Sequence, residues 1–219
     1  MSEFFFCSSL DLIDKNKWNA CIGSDHPFLQ YEFLSALEKS GSATTKTGWQ
    51  PYHYIEKENE EIIGICPLYI KSHSFGEYIF DHSWADAYHR YGLNYYPKLQ
   101  SAIPFTPVAG ERIIINKKIK NIKEKETQII KNIISEAKKI NVSSLHFNFI
   151  KNISQWKNNK EIMLRSGIQY HWKNNDYNNF DKFLESLSSR KRKIIKRERL
   201  CISENDLRVE LLNGDSIKE

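Results

Sequence analysis

Titratable side chains are concentrated between positions 71 and 88 of this sequence, inside a run that is also rich in aromatic residues. The members of this group are Lys71, His73, Glu77, Asp81, His82, Asp86 and Tyr88. The pattern of 81–90 predicts a short helix that Asp81 caps, with His82 and Asp86 one turn apart on the same face. Asp86 could then orient His82, whose ordinary pKa suits a group that takes up protons at neutral pH. The group therefore predicts a cleft in which a proton is transferred.

Two other interpretations fit the same residues. Asp86 could pair with Arg90, in which case the histidines would cap the helix or pack against it. His82, Asp86 and His89 could also bind a metal ion, but neither an HExxH motif nor a cysteine ligand supports such a site. We therefore predict no metal.

A second group lies between Tyr95 and Arg112, where Pro104 and Pro107 impose a stiff, extended path. A rigid segment of this kind, with its aromatic residues, could form one wall of a substrate groove. Lys98 and Arg112 would then meet a carboxylate or a phosphate. The alternative is a loop that packs in the core where it crosses the edge of a sheet. The sequence leaves both open.

The strongest charge feature is a basic stripe on a helix predicted over Phe180–Asn205. Its predicted phosphate-binding members are Arg190, Lys191, Arg192, Lys193 and Arg197. Arg190 and Lys191 fall between apolar residues of the same helix, so we expect at least one of them to find an acidic partner. The stripe suits phosphate recognition, although a solvated face is the alternative.

The order of predicted elements is strand, two helices, several antiparallel strands, helix, strand, helix and strand. Their ranges are Glu3–Ser8, Asp14–Cys21, Pro27–Lys39 (capped by Asp25), Tyr52–Lys57, Glu61–Lys71, Gly76–Phe80, Asp81–Arg90, Ile103–Ile115, Lys123–Ile140, Ser144–Ile150, Ile153–Ser166 and Ile168–Lys173. This pattern predicts an α/β (α+β) domain over residues 1–175, with a mixed, largely antiparallel sheet flanked by helices. The helix Phe180–Asn205, a strand over Leu207–Leu212 and the start of a helix at Gly214 would open a second, incomplete domain over 176–219.

Composition limits the class of protein. Of the 219 residues, 40% are hydrophobic and 27% are charged, which is ordinary for a globular chain. No signal peptide is apparent, so we predict a cytoplasmic location. The four cysteines form no CxxC pair. The net charge of +5 favours an anionic partner such as CoA, a nucleotide or tRNA.

Several long stretches of the chain resemble the FemAB-like family of predicted N-acyltransferases, which is related to peptidoglycan biosynthesis and belongs to the GNAT superfamily. The resemblance is carried by HPFLQYEFLSALEKSGSA (26–43), GWQPYHY (48–54), PLYIKSHSFGEYIFDHSWADAYHRYGLNYYPKLQSAIPFTPVAGERI (67–113) and the segment from QYHWKN to FLESLSSRKRKIIKRER (169–199). It implies two GNAT-like domains in tandem, of which this chain would hold the first and the beginning of the second.

The resemblance also implies a reaction. An amine of a small molecule or a cell-envelope precursor would attack an acyl-CoA, such as acetyl-CoA, or an aminoacyl-tRNA. The QxxGxG/A loop by which most GNAT enzymes hold the CoA pyrophosphate at a helix N-terminus is missing from this sequence. Its absence favours either a tRNA-dependent reaction or a donor site in the second domain.

In this interpretation His82 is the base, Asp86 orients it, and Tyr88 is an acid. The basic helix would hold a phosphorylated donor or acceptor. A non-catalytic module that binds RNA or another anion is the main rival, and an inactive fragment of the acyltransferase is a second.

Overall fold

The chain divides into two compact units, Met1–Leu164 and Arg165–Glu219. The computed structural model describes residues 2–23, 26–153, 156–157, 162–168, 170–205, 207–214 and 216. Asp25, the predicted helix cap, lies outside these residues, as do most of 215–219. Each unit is described by itself.

The first unit contains two four-stranded sheets. Their strands are β1 (Glu3–Cys7), β2 (Trp49–Pro51), β3 (His53–Glu58), β4 (Glu61–Cys66), β5 (Tyr69–Lys71), β6 (Lys98–Ser101), β7 (Ile114–Ile115) and β8 (Leu145–Phe147). The first sheet has the order β1-β3-β4-β7 and is antiparallel throughout. The second has the order β2-β5-β6-β8, in which only β6 and β8 are parallel.

Two segments of the chain contribute to both sheets in turn. β2 continues into β3 across Tyr52, and β4 continues into β5 across Pro67 and Leu68. The strand predicted over Glu61–Lys71 is therefore wrong as a single element. Pro67 has no N–H to donate to a ladder, so a continuous strand is interrupted there. The two segments stay joined where the Tyr52 N–H donates to the Leu68 carbonyl oxygen at 2.8 Å.

The first unit has four α-helices among its described residues. They are α1 (Lys15–Ile22), α2 (Tyr31–Lys39), α3 (His82–Arg90) and α4 (Ile122–Lys139). α1 and α2 contribute Trp18 and Leu34 to a core that also holds Ile55 and Ile65 of the first sheet. α4 buries Ile129 and its neighbours in a second core. This mixed, largely antiparallel arrangement flanked by helices confirms the predicted fold class.

One carboxylate of α4 lies on the buried side of that helix. Glu126 is 6% exposed, and its Oε1 accepts a hydrogen bond from Trp156 Nε1 at 3.1 Å. Burial raises the pKa of Glu126 from 4.5 to about 7; the hydrogen bond from Trp156 acts in the opposite direction, and Glu111 raises the pKa further. The folded chain therefore keeps a proton that the unfolded chain releases at lower pH.

This proton makes stability depend on pH. Because the pKa is raised on folding, the free energy of unfolding falls by about 3 kcal/mol as pH rises from 4.5 to about 7. We expect Glu126→Gln, which keeps an acceptor for Trp156, to remove most of that fall. At pH 8 the variant should therefore unfold at a higher urea concentration than the native chain. Urea unfolding at several pH values measures it. Glu124→Gln, on an exposed side of α4, is the matched control; an equal response of both variants would contradict the prediction.

The second unit contains α5 (Phe180–Glu185) and α6 (Ser189–Glu204). The single helix predicted over Phe180–Asn205 is therefore interrupted. At Ser188 the backbone leaves the helical conformation, and Ser188 Oγ accepts a hydrogen bond from the Lys191 N–H, which caps the start of α6. Among the described residues of this unit, Leu184 alone is a buried apolar side chain.

Three further predictions near the C-terminus need correction. Residues 162–168 contain no helix, although part of the predicted helix Ile153–Ser166 lies outside the described residues. The described residues of Ile168–Lys173 and Leu207–Leu212 form no strand, since neither segment has a ladder partner within the described part of the chain. An alternation of apolar residues is thus not enough to form a strand when no neighbouring strand pairs with the segment. No helix among the described residues is both long and apolar enough to span a bilayer.

Candidate active site

Two lysines lie side by side on one face of the second sheet. β5 and β6 pair with Lys71 opposite Lys98, and β2 places Trp49 opposite Lys71. Directly opposed side chains share a face, and two like charges in that position repel each other. Both lysine side chains are fully buried. The pair is therefore unfavourable unless carboxylates compensate it.

The compensating carboxylates come from the segment between β5 and α3. Lys98 Nζ donates to Glu77 Oε2 at 2.8 Å, to Asp81 Oδ2 at 2.6 Å and to Ser74 Oγ at 3.0 Å. With its amide oriented to satisfy both neighbours, Gln100 also donates to Glu77 Oε2 at 2.8 Å. We call Lys71, Glu77, Asp81 and Lys98 the buried ion cluster.

Lys71 is held less tightly than Lys98. Its Nζ lies 3.7 Å from the ring centroid of Trp49, 3.5 Å from the Phe75 carbonyl oxygen and 3.9 Å from Glu77 Oε1. Burial lowers the pKa of Lys71 to about 7, with Lys98 lowering it further and Glu77 opposing the change. Burial likewise raises the pKa of Glu77, against the attraction of Lys98. The cluster thus contains an amine whose pKa is lowered to about 7 and a carboxyl whose pKa is raised, both by burial.

Asp81 has a different environment from Glu77. Burial would raise its pKa, but hydrogen bonds from Lys98 and from Tyr95 Oη, which is 2.6 Å from Oδ2, outweigh burial and lower the pKa below its usual value. Burial, together with the same contact, raises the pKa of Tyr95. Asp81 precedes α3, yet its side chain does not cap the helix as predicted, because it points to Lys98 and Tyr95 instead.

The chain reaches these positions through left-handed backbone at Gly76, Tyr78 and Phe80. A Cβ at Gly76 would lie 2.6 Å from the Phe105 ring, so only glycine fits there. The alternation turns Glu77 inward and leaves Phe75 and Tyr78 exposed. The strand extension predicted over Gly76–Phe80 is therefore wrong: the segment is a loop.

A pocket of about 420 Å³ adjoins this network. Its lining residues are Thr45, Gly48, Gln50, Ile70, Ser72, Tyr96 and Pro97, none of which is charged. A Cβ at Gly48 would meet the His73 ring at 2.3 Å, which explains the glycine at the edge of the pocket. Tyr96 connects the pocket to the ion cluster, because its hydroxyl lies 2.7 Å from Ser74 Oγ, the acceptor of Lys98.

The structure does not form the predicted dyad. α3 has no buried residue, and within the described chain His82 and Asp86 share no hydrogen bond or ion pair. Asp86 does not pair with Arg90 either, and no group of metal-ligating side chains occurs among the described residues. Tyr88 packs its ring on Tyr95, with centroids 5.1 Å apart. The helical spacing was right, but the helix presents the dyad residues to solvent.

Two other predicted contacts are satisfied by the protein itself. Arg112 is buried, and its guanidinium donates to the carbonyl oxygens of Val108, Glu111 and Asn148 at 2.6–3.2 Å. It therefore holds a loop and does not meet a carboxylate or phosphate, and burial lowers its pKa to about 10. His73 accepts from the Phe75 N–H at Nδ1, and burial, together with Lys71, lowers its pKa.

The basic stripe lies on α6 and is mostly exposed. Of its predicted members, Arg190, Lys191, Lys193 and Arg197 are exposed, and Arg192 is half-buried with its guanidinium 3.5 Å from the Leu187 carbonyl oxygen. The acidic partner expected for Arg190 or Lys191 is not found, since no described carboxylate lies within 4.0 Å of either. The helix face that carries them is not buried.

Sequence reasoning missed Trp49, Ser74 and Gln100. The polar alternation of Lys98 and Gln100 is the one signal that could have revealed β6, because side chains two apart in a strand share a face. That signal is weak, since buried strands usually carry apolar residues.

The chain matches no curated protein sequence. Among solved structures it is similar to a GNAT family acetyltransferase from Staphylococcus aureus subsp. aureus USA300_TCH1516 (TM-score 0.42, 11% identity, 78% of this chain and 98% of that chain). It is also similar to a ribosomal-protein-alanine N-acetyltransferase from Brucella melitensis biovar Abortus 2308 (TM-score 0.43, 11% identity, 80% and 99%) and to a possible acetyltransferase from Clostridium difficile 630 (TM-score 0.40, 12% identity, 79% and 97%). Sequence identities this low do not show that this chain shares the activity of those proteins.

The sequence itself is more informative. Residues 9–219 match the model of the FemAB-like family, which is described by peptidoglycan biosynthesis/recognition. The match spans nearly the whole chain and confirms the predicted resemblance. The chain therefore belongs to the FemAB-like family.

Proposed function

We propose that this chain takes part in the transfer of an acyl or aminoacyl group from a thioester or an aminoacyl ester to an amine. A small molecule or a cell-envelope precursor supplies that amine. The family match supports a role in envelope chemistry. The observation that carries the proposal is the hydrogen-bonded path from the pocket through Tyr96 and Ser74 to Lys98.

This path can polarise the Tyr96 hydroxyl. A lysine ammonium only donates hydrogen bonds, so Ser74 Oγ accepts one from Lys98. The Ser74 hydroxyl can in turn donate a hydrogen bond to the Tyr96 oxygen. The Tyr96 proton then remains available to an acyl carbonyl oxygen in the pocket. When an amine attacks that carbonyl, negative charge develops on the oxygen, and a preorganised donor stabilises it more than it stabilises the ground state. Lys98 acts here as a positioning residue, since it does not touch the substrate.

The test is Tyr96→Phe, which removes the hydroxyl and keeps the ring. We expect kcat to fall about 10- to 100-fold with KM within about twofold, because the donor acts in the transition state. Thiol release from a panel of acyl-CoAs, and deacylation of aminoacyl-tRNA, each with amine acceptors, measure it. Tyr91→Phe, on an 84% exposed ring, is the matched control. Unchanged kcat in Tyr96→Phe would remove the hydroxyl from the mechanism, and no turnover with any donor would refute acyl transfer.

The donor is identified by ligand-induced stabilisation. A ligand that binds the folded state and not the unfolded state raises the melting temperature, by more as its concentration exceeds Kd. A shift with acetyl-CoA or CoA assigns a thioester donor, and a shift with bulk tRNA assigns an aminoacyl ester.

A non-catalytic role in anion binding is the second candidate, and the exposed basic stripe of α6 favours it. Cations that replace phosphate counterions give an affinity that falls steeply with salt. Replacing Arg190, Lys191 and Lys193 by glutamine should then weaken RNA binding. It should also lower the number of counterions released on binding, which the slope of log K against log salt measures, by about three. The same change at Lys120, Lys123 and Lys131, which are exposed in the first unit, is the control. Equal losses in both variants would mean that only net charge matters.

A further inference from the structure

The helix α6 concentrates the positive charge of the chain. Its 16 residues include seven cations and two carboxylates, so its net charge of +5 equals that of the whole protein. The cations are Arg190, Lys191, Arg192, Lys193, Lys196, Arg197 and Arg199. No carboxylate of the described residues lies within 4.0 Å of any of them. The helix therefore presents a strong positive potential to an anionic partner.

The same helix carries an apolar stripe on one side. Successive residues of an α-helix are about 100° apart, so Ile194, Ile195 and Ile202 lie within about 100° of its circumference. Ile194 is 38% exposed, Ile202 is 47% exposed, and Ile195 is half-buried. Lys191 and Glu198 fall in the same sector, but their charges are opposite in sign. The stripe is thus apolar, neutral and open to solvent.

Arginines border the apolar stripe on both sides. Arg190 and Arg197 lie on one side and Arg192 and Arg199 on the other, each about 40–60° around the helix from the nearest isoleucine. All but the half-buried Arg192 are exposed. Long arginine stems can lie along apolar surface while their guanidinium groups reach polar groups above it. Apolar side chains between two rows of cations are the arrangement of a helix that lies in a membrane–water interface.

We propose that α6 docks in the headgroup region of a bilayer that contains anionic lipid, with its apolar stripe toward the acyl chains. The charge of the helix complements the negative surface of such a membrane. RNA would engage the cations but would leave the isoleucines in water, and α6 has no aromatic side chain on which a base could stack. The inference goes beyond acyl transfer and does not depend on it.

The experiment is co-sedimentation of the full chain with vesicles of phosphatidylcholine alone and of an equal mixture of phosphatidylcholine and phosphatidylglycerol. We expect stronger binding to the mixed vesicles. Ile194→Gln with Ile202→Gln should lower the partition coefficient for these vesicles about tenfold or more, because both side chains bury apolar area in the interface. Glutamine favours a helix at least as much as isoleucine, so α6 is kept. Leu200→Gln, on the opposite side of α6 and 55% exposed, is the matched control and should change binding by less than about twofold.

A second pair of variants tests the charge independently of the stripe. Arg190→Gln with Arg197→Gln should lower binding to the mixed vesicles about tenfold or more, and should leave binding to phosphatidylcholine unchanged. Lys120→Gln with Lys123→Gln, exposed in the first unit, is the control and should have a smaller effect.

Three outcomes would overturn the proposal. The first is that the native chain does not sediment with the mixed vesicles. The second is that Leu200→Gln loses as much binding as the double isoleucine variant, or that the double variant loses none, since the stripe would then not enter the interface. The third is that the native chain binds RNA but neither kind of vesicle, which would assign the cations of α6 to a nucleic acid.

Discussion

Lys98→Met is expected to destabilise the folded chain by about 3–5 kcal/mol, the largest effect of any single substitution considered. The reason is that Glu77 and Asp81 both lose their direct cation at 2.6–2.8 Å while they remain buried. Urea unfolding at neutral pH measures the change. The defect should shrink in acid, because protonated carboxyl groups need no cation. In the native chain the lowered pKa of Asp81 makes its stabilisation complete at neutral pH, and that stabilisation is lost as pH falls below the ordinary value of 3.8.

Two further variants test this explanation. Lys118→Met removes a comparable pair with Glu61 that is exposed, and should cost at most about 1 kcal/mol. Adding Glu77→Gln and Asp81→Asn to Lys98→Met should recover part of the loss, since no uncompensated charge then stays buried. A loss below about 1.5 kcal/mol in Lys98→Met alone, or no recovery in the triple variant, would contradict the role assigned to the cluster.

His53→Ala is expected to cost about 3–4 kcal/mol. His53 is fully buried where β2 continues into β3, and its Nδ1 accepts from the Leu68 N–H at 3.2 Å. Its Nε2 donates to Glu38 Oε1 at 3.0 Å. The substitution leaves that N–H unpaired, weakens the support of Glu38, and opens a cavity beside Tyr69, whose ring centroid is 5.1 Å away.

The matched control is His89→Ala on the exposed α3, which should change the free energy of unfolding by less than about 0.5 kcal/mol. Guanidinium unfolding followed by circular dichroism measures both variants. Similar stabilities for His53→Ala and His89→Ala would mean that the junction of the two sheets tolerates the loss of the imidazole. Far-ultraviolet spectra identify any variant that fails to fold.

Much of the first unit could be predicted from sequence because its periodic segments are long. The spacing of Ile129, Ile130 and Ile133 is that of an amphipathic helix, and these residues form the buried face of α4. The division into two sheets was missed, because apolar residues continue on both sides of Pro67 and pairing partners are not visible in a local pattern. In the second unit, local propensity overestimated order: Leu207 and Val209 alternate as in a strand but have no ladder partner among the described residues.

For the candidate site too, the sequence showed the local patterns but not the contacts between distant segments. The sequence placed Lys71, Glu77 and Asp81 in one chemically dense group. It placed Lys98 in a separate group and could not show that Lys98 neutralises Glu77 and Asp81. Two of the four belong to strands and two to a loop, so their meeting depends on tertiary structure. The helical spacing of His82 and Asp86 predicted a shared face, but spacing alone does not determine whether that face meets the protein or the solvent.

The opposition of Lys71 and Lys98 has a consequence for how the chain selects one fold among near alternatives. A slip of β6 by one residue against β5 would exchange the two faces of the strand. Lys98 would enter the apolar cluster in which Leu99 packs with Ile129, and Leu99 would face the two carboxylates. Both errors are costly at once, so misaligned sheets are excluded even where hydrophobic pairing alone would tolerate them. The buried charges thus discriminate between competing structures, whatever they contribute to the stability of the correct one.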